Sequence, residues 1–170
     1  MNFVDEINQL CKNNLDKRYA LFADMDGVLA KLEIDTKNSI ANNTKDYFLN
    51  VKPIPSVIQK LAEINKNPNL DLYILSACGY EEQAQDKRTW LEQHAPFFES
   101  DKQIYIIKDV VKYTYSNKAD IKTQSIVDKL CQRGGYDYAI YLEDEYLMLK
   151  EANKKLKEKL IGYHISYLID

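Results

Sequence analysis

"RYALFADMDGVLAKLE", Arg18 to Glu33, sets how the rest of this chain is read. An apolar run, 19–23, ends on two aspartates, Asp24 and Asp26, with Gly27 directly behind them. The run is too continuously apolar for a half-solvated sheet, so it reads as a strand covered on both faces. Four more runs of this kind follow: "LDLYILSA" (70–77), "QIYIIK" (103–108), "YAIYLE" (138–143) and "YHISYLI" (163–169). Between them lie "PSVIQKLAEINK" (55–66), "EEQAQDKRTWLEQHA" (81–95), "KADIKTQSIVDKLCQR" (118–133) and "DEYLMLKEANKKLKEKL" (144–160). Each has apolar residues at three- and four-residue spacing with charges opposite, which predicts an amphipathic helix. Pro55 opens the first, where a missing amide hydrogen costs nothing. Gly134 and Gly135 end the third, as a left-handed cap requires. Ahead of the first strand, Phe3, Val4, Ile7, Leu10 and Cys11 predict one face of a short helix. Strand alternating with helix predicts an α/β fold with βαβ units, a parallel five-stranded sheet and helices on both sides.

The chain has 170 residues, most simply one domain spanning 1–170. One segment interrupts the alternation, "AKLEIDTKNSIANNTKDYFLN" (30–50), polar and rich in Asn. It is too long for an ordinary βα loop and predicts a small cap or lid over the end of the first strand. No apolar segment approaches the roughly 20 residues needed to cross a bilayer. The N-terminal stretch carries acids early and lacks an unbroken apolar core, so it does not read as a signal peptide. Three widely spaced cysteines, Cys11, Cys78 and Cys131, contain no CxxC pair, which argues against a zinc site or disulfide framework and points to a reducing cytoplasm. With 23 Lys and Arg against 26 Asp and Glu, net charge is −3, and the signs are interspersed. That pattern predicts neither a membrane-binding nor a dedicated nucleic-acid surface.

Asp24 and Asp26 fall at the C-terminal end of the first strand, the edge where open α/β sheets bind ligands. A two-residue spacing in extended chain sends both side chains the same way, with Met25 opposite. Gly27 lets the chain turn tightly and lets backbone amides approach a ligand. Carboxylates held close repel one another unless a cation or a shared proton relieves them. Magnesium suits such oxygen ligands and a phosphate-bearing substrate. A lone DxD more often just flanks a turn. Here a buried strand, the pair, the glycine and a second apolar stretch occur together.

"DMDGVLA" resembles the first motif of the haloacid dehalogenase superfamily, in its DxDx(T/V) phosphatase branch. Three further motifs of that superfamily have counterparts in order: Ser76 closing "LYILSA", Lys118 in "SNKADIK", and Glu143 with Asp144 in "AIYLEDE". The resemblance spans residues 19 to 145 and implies a Rossmann-like three-layer α/β/α fold. It implies that Asp24 is the nucleophile and carries a phosphoaspartyl intermediate, and that Asp26 is general acid and then base. Magnesium would be held by Asp24, the Asp26 carbonyl and Asp144, with Glu143 a ligand directly or through water. Ser76, the Ala77 amide and Lys118 would hold phosphate oxygens. Lys108, Lys112 and Lys122 are rivals for the lysine. Lys118 is preferred because it opens the helix before the acidic strand.

A closer likeness is to the 5′(3′)-deoxyribonucleotidase-like branch, carried by "DMDGVLA", "LYILSA", "DKRTWLEQHAPFF" and "IYIIKD". There a basic residue and a tryptophan follow the second motif, as Lys87, Arg88 and Trp90 do here. Tyr47, Phe48, Tyr113 and Tyr115 are candidates for stacking on a base. His94 and His164 lack metal-ligand spacing, and Cys78 has no neighbouring base. The expected activity is magnesium-dependent hydrolysis of a phosphomonoester, a nucleotide or similar small metabolite. Alternatives are a phosphatase for sugar phosphates or phosphoproteins, a halide-removing hydrolase, or an idle module that binds a phosphorylated ligand.

Overall fold

A computed structural model describes residues 2–32 and 46–169. It contains five strands, β1 (Tyr19–Ala23), β2 (Leu70–Cys78), β3 (Gln103–Ile107), β4 (Tyr138–Glu143) and β5 (Leu160–His164), all parallel, in the order β3-β2-β1-β4-β5. The helices are α1 (Phe3–Asn13), α2 (Tyr47–Asn50), α3 (Pro55–Ile64), α4 (Glu81–His94), α5 (Lys108–Val111), α6 (Lys118–Cys131) and α7 (Tyr146–Leu156).

Every residue of β1 is buried, because β1 is the central strand with helices over both faces. The two-residue period of a strand divides its side chains between two cores. Leu21 and Ala23 join Phe3 and Ile7 of α1, Leu61 and Ile64 of α3, and Trp90 of α4. Ala20 and Phe22 join Ile126 of α6 and Met148, Leu149 and Ala152 of α7. This is the three-layer α/β/α arrangement of the expected Rossmann-like, haloacid dehalogenase-like fold. From β1 the chain moves outward to β2 and β3, then returns to the other side of β1 for β4 and β5. The reversal leaves a crevice above the ends of β1 and β4, where ligands bind in such sheets.

Local chemistry sets the element ends. The Asn2 side chain accepts from the Asp5 amide at 3.0 Å and caps α1. Pro55 opens α3 as expected, and Gly134 past the end of α6 is left-handed at φ +71°. The last strand differs from its sequence reading over 163–169. The register pairs Glu143 with His164, so β5 ends where β4 does and Ile165–Tyr167 form a 3-10 turn. The expected helix over 144–160 stops at Leu156, followed by Lys157 at φ +51°, and this releases Leu160 and Ile161 into β5. Most of the expected cap, 33–45, lies outside the described residues. Its base is stitched down: the Lys31 amide donates to the Lys52 carbonyl at 2.8 Å, and the Trp90 indole donates to the Val51 carbonyl at 2.8 Å.

Candidate active site

Asp24 is the first residue beyond β1, and its amide still donates to the Leu142 carbonyl of β4 at 3.0 Å. It therefore sits on the crevice while anchored to the central sheet. One carboxylate oxygen accepts from the Met25 amide at 2.8 Å and the other from Lys122 Nζ at 2.9 Å. Met25 turns the opposite way into the core. The chain then reverses at Gly27, whose φ of +78° favours glycine and whose amide donates to the Ala30 carbonyl at 2.8 Å. A Cβ there would lie 2.2 Å from Asp144 Oδ2. Glycine at this position thus makes room for an acid arriving from another strand.

That acid comes from the end of β4. Glu143 is fully buried; its Oε2 accepts from Lys122 Nζ at 2.9 Å and from the Tyr141 hydroxyl at 2.6 Å. Its Oε1 accepts from the Asp144 and Glu145 amides at 3.1 and 3.3 Å. One carboxylate oxygen from each of Asp24, Glu143 and Asp144 lies within 4.8 Å of the others. Three acids this close can hold a divalent cation, and an all-oxygen set suits a hard one. Asp144 is the most open of the three, whereas both oxygens of Asp24 and of Glu143 are already engaged by protein donors.

The electrostatics bear the mark of crowded negative charge. Burial and then the Asp24 carboxylate push Glu143 up to about 8, and burial first raises Asp144 above the usual carboxylate range. Lys122 is itself buried, which works against its charge. Asp24, Tyr141 and Glu143 outweigh that cost and hold its ammonium charged. Lys122 is thus the internal counter-charge of the acidic cluster.

A second buried lysine serves the other aspartate. Lys87, on α4, has no exposed surface; its Nζ lies 2.5 Å from Asp26 Oδ2 and 2.9 Å from Ser76 Oγ, and donates to the Ala77 carbonyl at 3.2 Å. The Phe48 ring covers it with its centroid 4.4 Å away. Asp26 therefore turns to Lys87 while Asp24 turns to Lys122, and the two carboxylates have separate partners. Two cavities meet over this floor. One, of about 240 Å³, is lined by Asp26, Leu32, Tyr47, Phe48 and Gln83 among others. The other, of about 280 Å³, is lined by Asp24, Asp26, Tyr113, Lys118, Lys122 and Asp144 among others.

Asp24, Asp26, Ala77, Lys118 and Asp144 of the expected site all line the second cavity, and buried Ser76 and Glu143 lie against it through Lys87 and Lys122. Three of the four candidate lysines, Lys108, Lys118 and Lys122, line this cavity. The lysine on Asp24 is Lys122, one helical turn beyond Lys118. Opening the helix leaves Lys118 at the cavity mouth, where it pairs with Glu145, and a four-residue step along the same face carries Lys122 inward. Lys87 enters the sequence reading as a basic residue that follows the second motif with Arg88 and Trp90, on a helix that also carries Gln83. Lys87, Trp90 and Gln83 prove buried. Asp26 contributes no carboxylate to the metal-capable group among the described residues. His164 donates no ligand either: its Nε2 meets the Asp144 carbonyl at 2.9 Å and its Nδ1 accepts from the Ser166 amide at 3.2 Å.

No family model matches the chain, and no curated protein matches it. Solved structures do. A chain in the structure of the Pnkp1/Rnl/Hen1 RNA repair complex superposes with a TM-score of 0.61 at 15% identity, covering 88% of this chain and 43% of that one. A second structure of the Pnkp1/Rnl/Hen1 complex gives 0.60 at 13% identity, covering 87% and 46%. The class C acid phosphatase from Bacillus anthracis gives 0.57 at 15% identity, covering 96% and 75%. These likenesses are of fold. The chain spans less than half the length of the two RNA-repair chains it matches. Among the described residues, no helix is long and apolar enough to cross a membrane.

Proposed function

We propose that this protein is a magnesium-dependent phosphomonoester hydrolase working through a phosphoaspartyl intermediate on Asp24. The observation that carries the reading is the convergence of Asp24, Glu143 and Asp144 from two strand ends, with Lys122 buried between them. The donor set fits magnesium: hard oxygens, a surplus of negative charge, and a glycine that clears space for Asp144. Asp24 and Asp144 would hold the ion with the Asp26 carbonyl, and Glu143 would act through Lys122 and bound water. When bound, magnesium offsets the repulsion between an anionic nucleophile and an anionic phosphoryl group.

The residues divide the work by position. Asp24, oriented by the Met25 amide and Lys122, attacks phosphorus, and the phosphorus–oxygen bond to the leaving group breaks. Asp26 gives its proton to the departing oxygen. It then takes a proton from the water that releases phosphate and restores Asp24. Lys87 fixes the Asp26 carboxylate and the Ser76 hydroxyl together. Ser76, the Ala77 amide, Lys118 and the far side of Lys122 hold phosphoryl oxygens. A nucleotide or similar small phosphometabolite is the proposed substrate, supported by the deoxyribonucleotidase-like motifs and by the aromatic lining of Tyr47 and Phe48 beside Asp26. The three free cysteines support a cytoplasmic setting.

The direct test is release of inorganic phosphate from a panel of nucleoside monophosphates, sugar phosphates and phosphoamino acids. Release should require magnesium, stop with EDTA, and be lost in Asp24→Asn. A fully active Asp24→Asn protein would remove the mechanism, and EDTA-insensitive activity would favour halide-removing chemistry instead.

A further inference from the structure

The two cavities share a border formed by Asp26, Leu32, Ala77 and Lys108. Four lysines line or underlie them, and three have carboxylate partners: Lys122 with Asp24 and Glu143, Lys118 with Glu145, and Lys87 with Asp26. Lys108 differs. Among the described residues its ammonium meets no carboxylate, only the Tyr113 ring with its centroid 5.5 Å away. Among the described residues it is also the one cation lining the smaller cavity, whose other walls are Leu32, Tyr47, Phe48, Ala77, Gly79 and Gln83, with Asp26 at the border.

Resting on the phosphatase reading, the direction of a bound substrate follows from these positions. The phosphoryl group must lie beside Asp24, in the larger cavity. The leaving oxygen must lie within reach of Asp26, on the border. The remainder of the leaving group then extends into the smaller cavity, past Lys108 on the border and over apolar and aromatic walls. A neutral leaving group would leave that ammonium facing water. We propose that Lys108 is a specificity residue for a second anionic group, a carboxylate or a second phosphate, carried by the leaving group beyond the scissile ester. The preferred substrates are then phosphomonoesters with an apolar or planar body and an additional negative charge. Because Lys108 is exposed, its contribution is modest, of the order found for exposed ion pairs.

The test compares phenyl phosphate with 4-carboxyphenyl phosphate and with 4-(phosphonomethyl)phenyl phosphate, whose second group is not hydrolysed. The ratio of kcat/KM, charged over uncharged, is measured in wild type, Lys108→Gln and Lys108→Glu. Differences in intrinsic leaving-group reactivity cancel between the enzyme forms. The ratio should fall about three- to fivefold in Lys108→Gln, the size of an exposed ion pair, and further in Lys108→Glu. The carboxylate and phosphonate arms show which anion is preferred. A ratio that stays constant across the three proteins, or equal losses on all substrates, overturns the proposal; the latter places Lys108 on the transferred phosphoryl group instead. Equilibrium binding of phenylphosphonate and 4-carboxyphenylphosphonate, with the same variants, keeps the question open to test without turnover. Should no phosphate be released, tighter binding of the carboxylated compound that Lys108→Gln abolishes upholds the anion site while the hydrolase reading fails. Equal binding of both compounds, or of neither, overturns it.

Discussion

The two ends of the sheet carry charge networks of similar composition and opposite character. At the N-terminal end, Asp71 near the start of β2 meets Lys102 at 2.7 Å, the Tyr136 hydroxyl at 2.8 Å and Arg18 at 3.3 Å. Burial works against its charge, but Lys102 and Tyr136 outweigh it and hold the carboxyl below its usual range. At the C-terminal end, Glu143 and Asp144 are raised instead, by burial first. One network gathers two cations and a hydroxyl on Asp71, with Glu99 also paired to Lys102 at 2.9 Å. The other packs three acids around one lysine. Opposite displacement of the same chemical group separates an edge whose acid is relieved by its own protein donors from one whose crowded acids a cation would relieve, the pattern expected of a functional site.

The largest expected difference lies in the central cation of each network. Lys122→Met leaves Asp24 and Glu143 buried without their counter-charge and should destabilise the protein by about 3–5 kcal/mol without divalent ions. Lys102→Met at the more exposed edge should cost less than about 1 kcal/mol. Urea melts of both variants decide it, and equal losses would erase the distinction between the edges. Next in size is Lys87→Met. It frees the Asp26 carboxylate and should lower kcat by about 10²-fold, the lower end of what a positioned acid–base group supplies. Thermal melting run alongside separates that effect from simple unfolding. Smaller again, Asp144→Asn should raise the magnesium concentration for half-maximal activity by about tenfold. An unchanged requirement would take Asp144 out of the metal shell.

Much of this contrast was legible in the sequence, and the exceptions have physical causes. β1 and β4 fall where their apolar runs predict, and with them the positions of Asp24, Asp26, Glu143 and Asp144, because a strand buried on both faces leaves little choice of ends. β5 was misplaced since Leu160 suits the end of a helix face as well as a strand, and only pairing with β4 chooses between them. Lys118 and Lys122 share one face of α6, and only the packing of that helix decides that Lys122 reaches Asp24 while Lys118 stays at the cavity mouth with Glu145. Lys87 was hidden by its own type. A hydropathy pattern counts lysine as outward-facing, yet Lys87 has no exposed surface and its ammonium reaches Asp26. The N-terminal network gave no sequence signal, as Arg18, Asp71, Lys102 and Tyr136 come from four separate elements.

The smallest expected effect sharpens the contrast through pH. Asp71 has a folded pKa below its ordinary value of 3.8. Its ionised form therefore contributes stability that is fully present above the unfolded value and is lost as pH falls through the folded one. Asp71→Asn should then reduce stability at pH 7 by less than about 1 kcal/mol, given the partial exposure of its ion pairs. The gap from wild type should close as pH drops below about 5 towards the folded pKa. Urea melts from pH 7 down to the lowest pH at which both proteins unfold cooperatively give the comparison. A gap that persists undiminished would mean that Asp71 acts through hydrogen-bond geometry rather than charge, and the N-terminal edge would no longer be the electrostatic opposite of the crowded one.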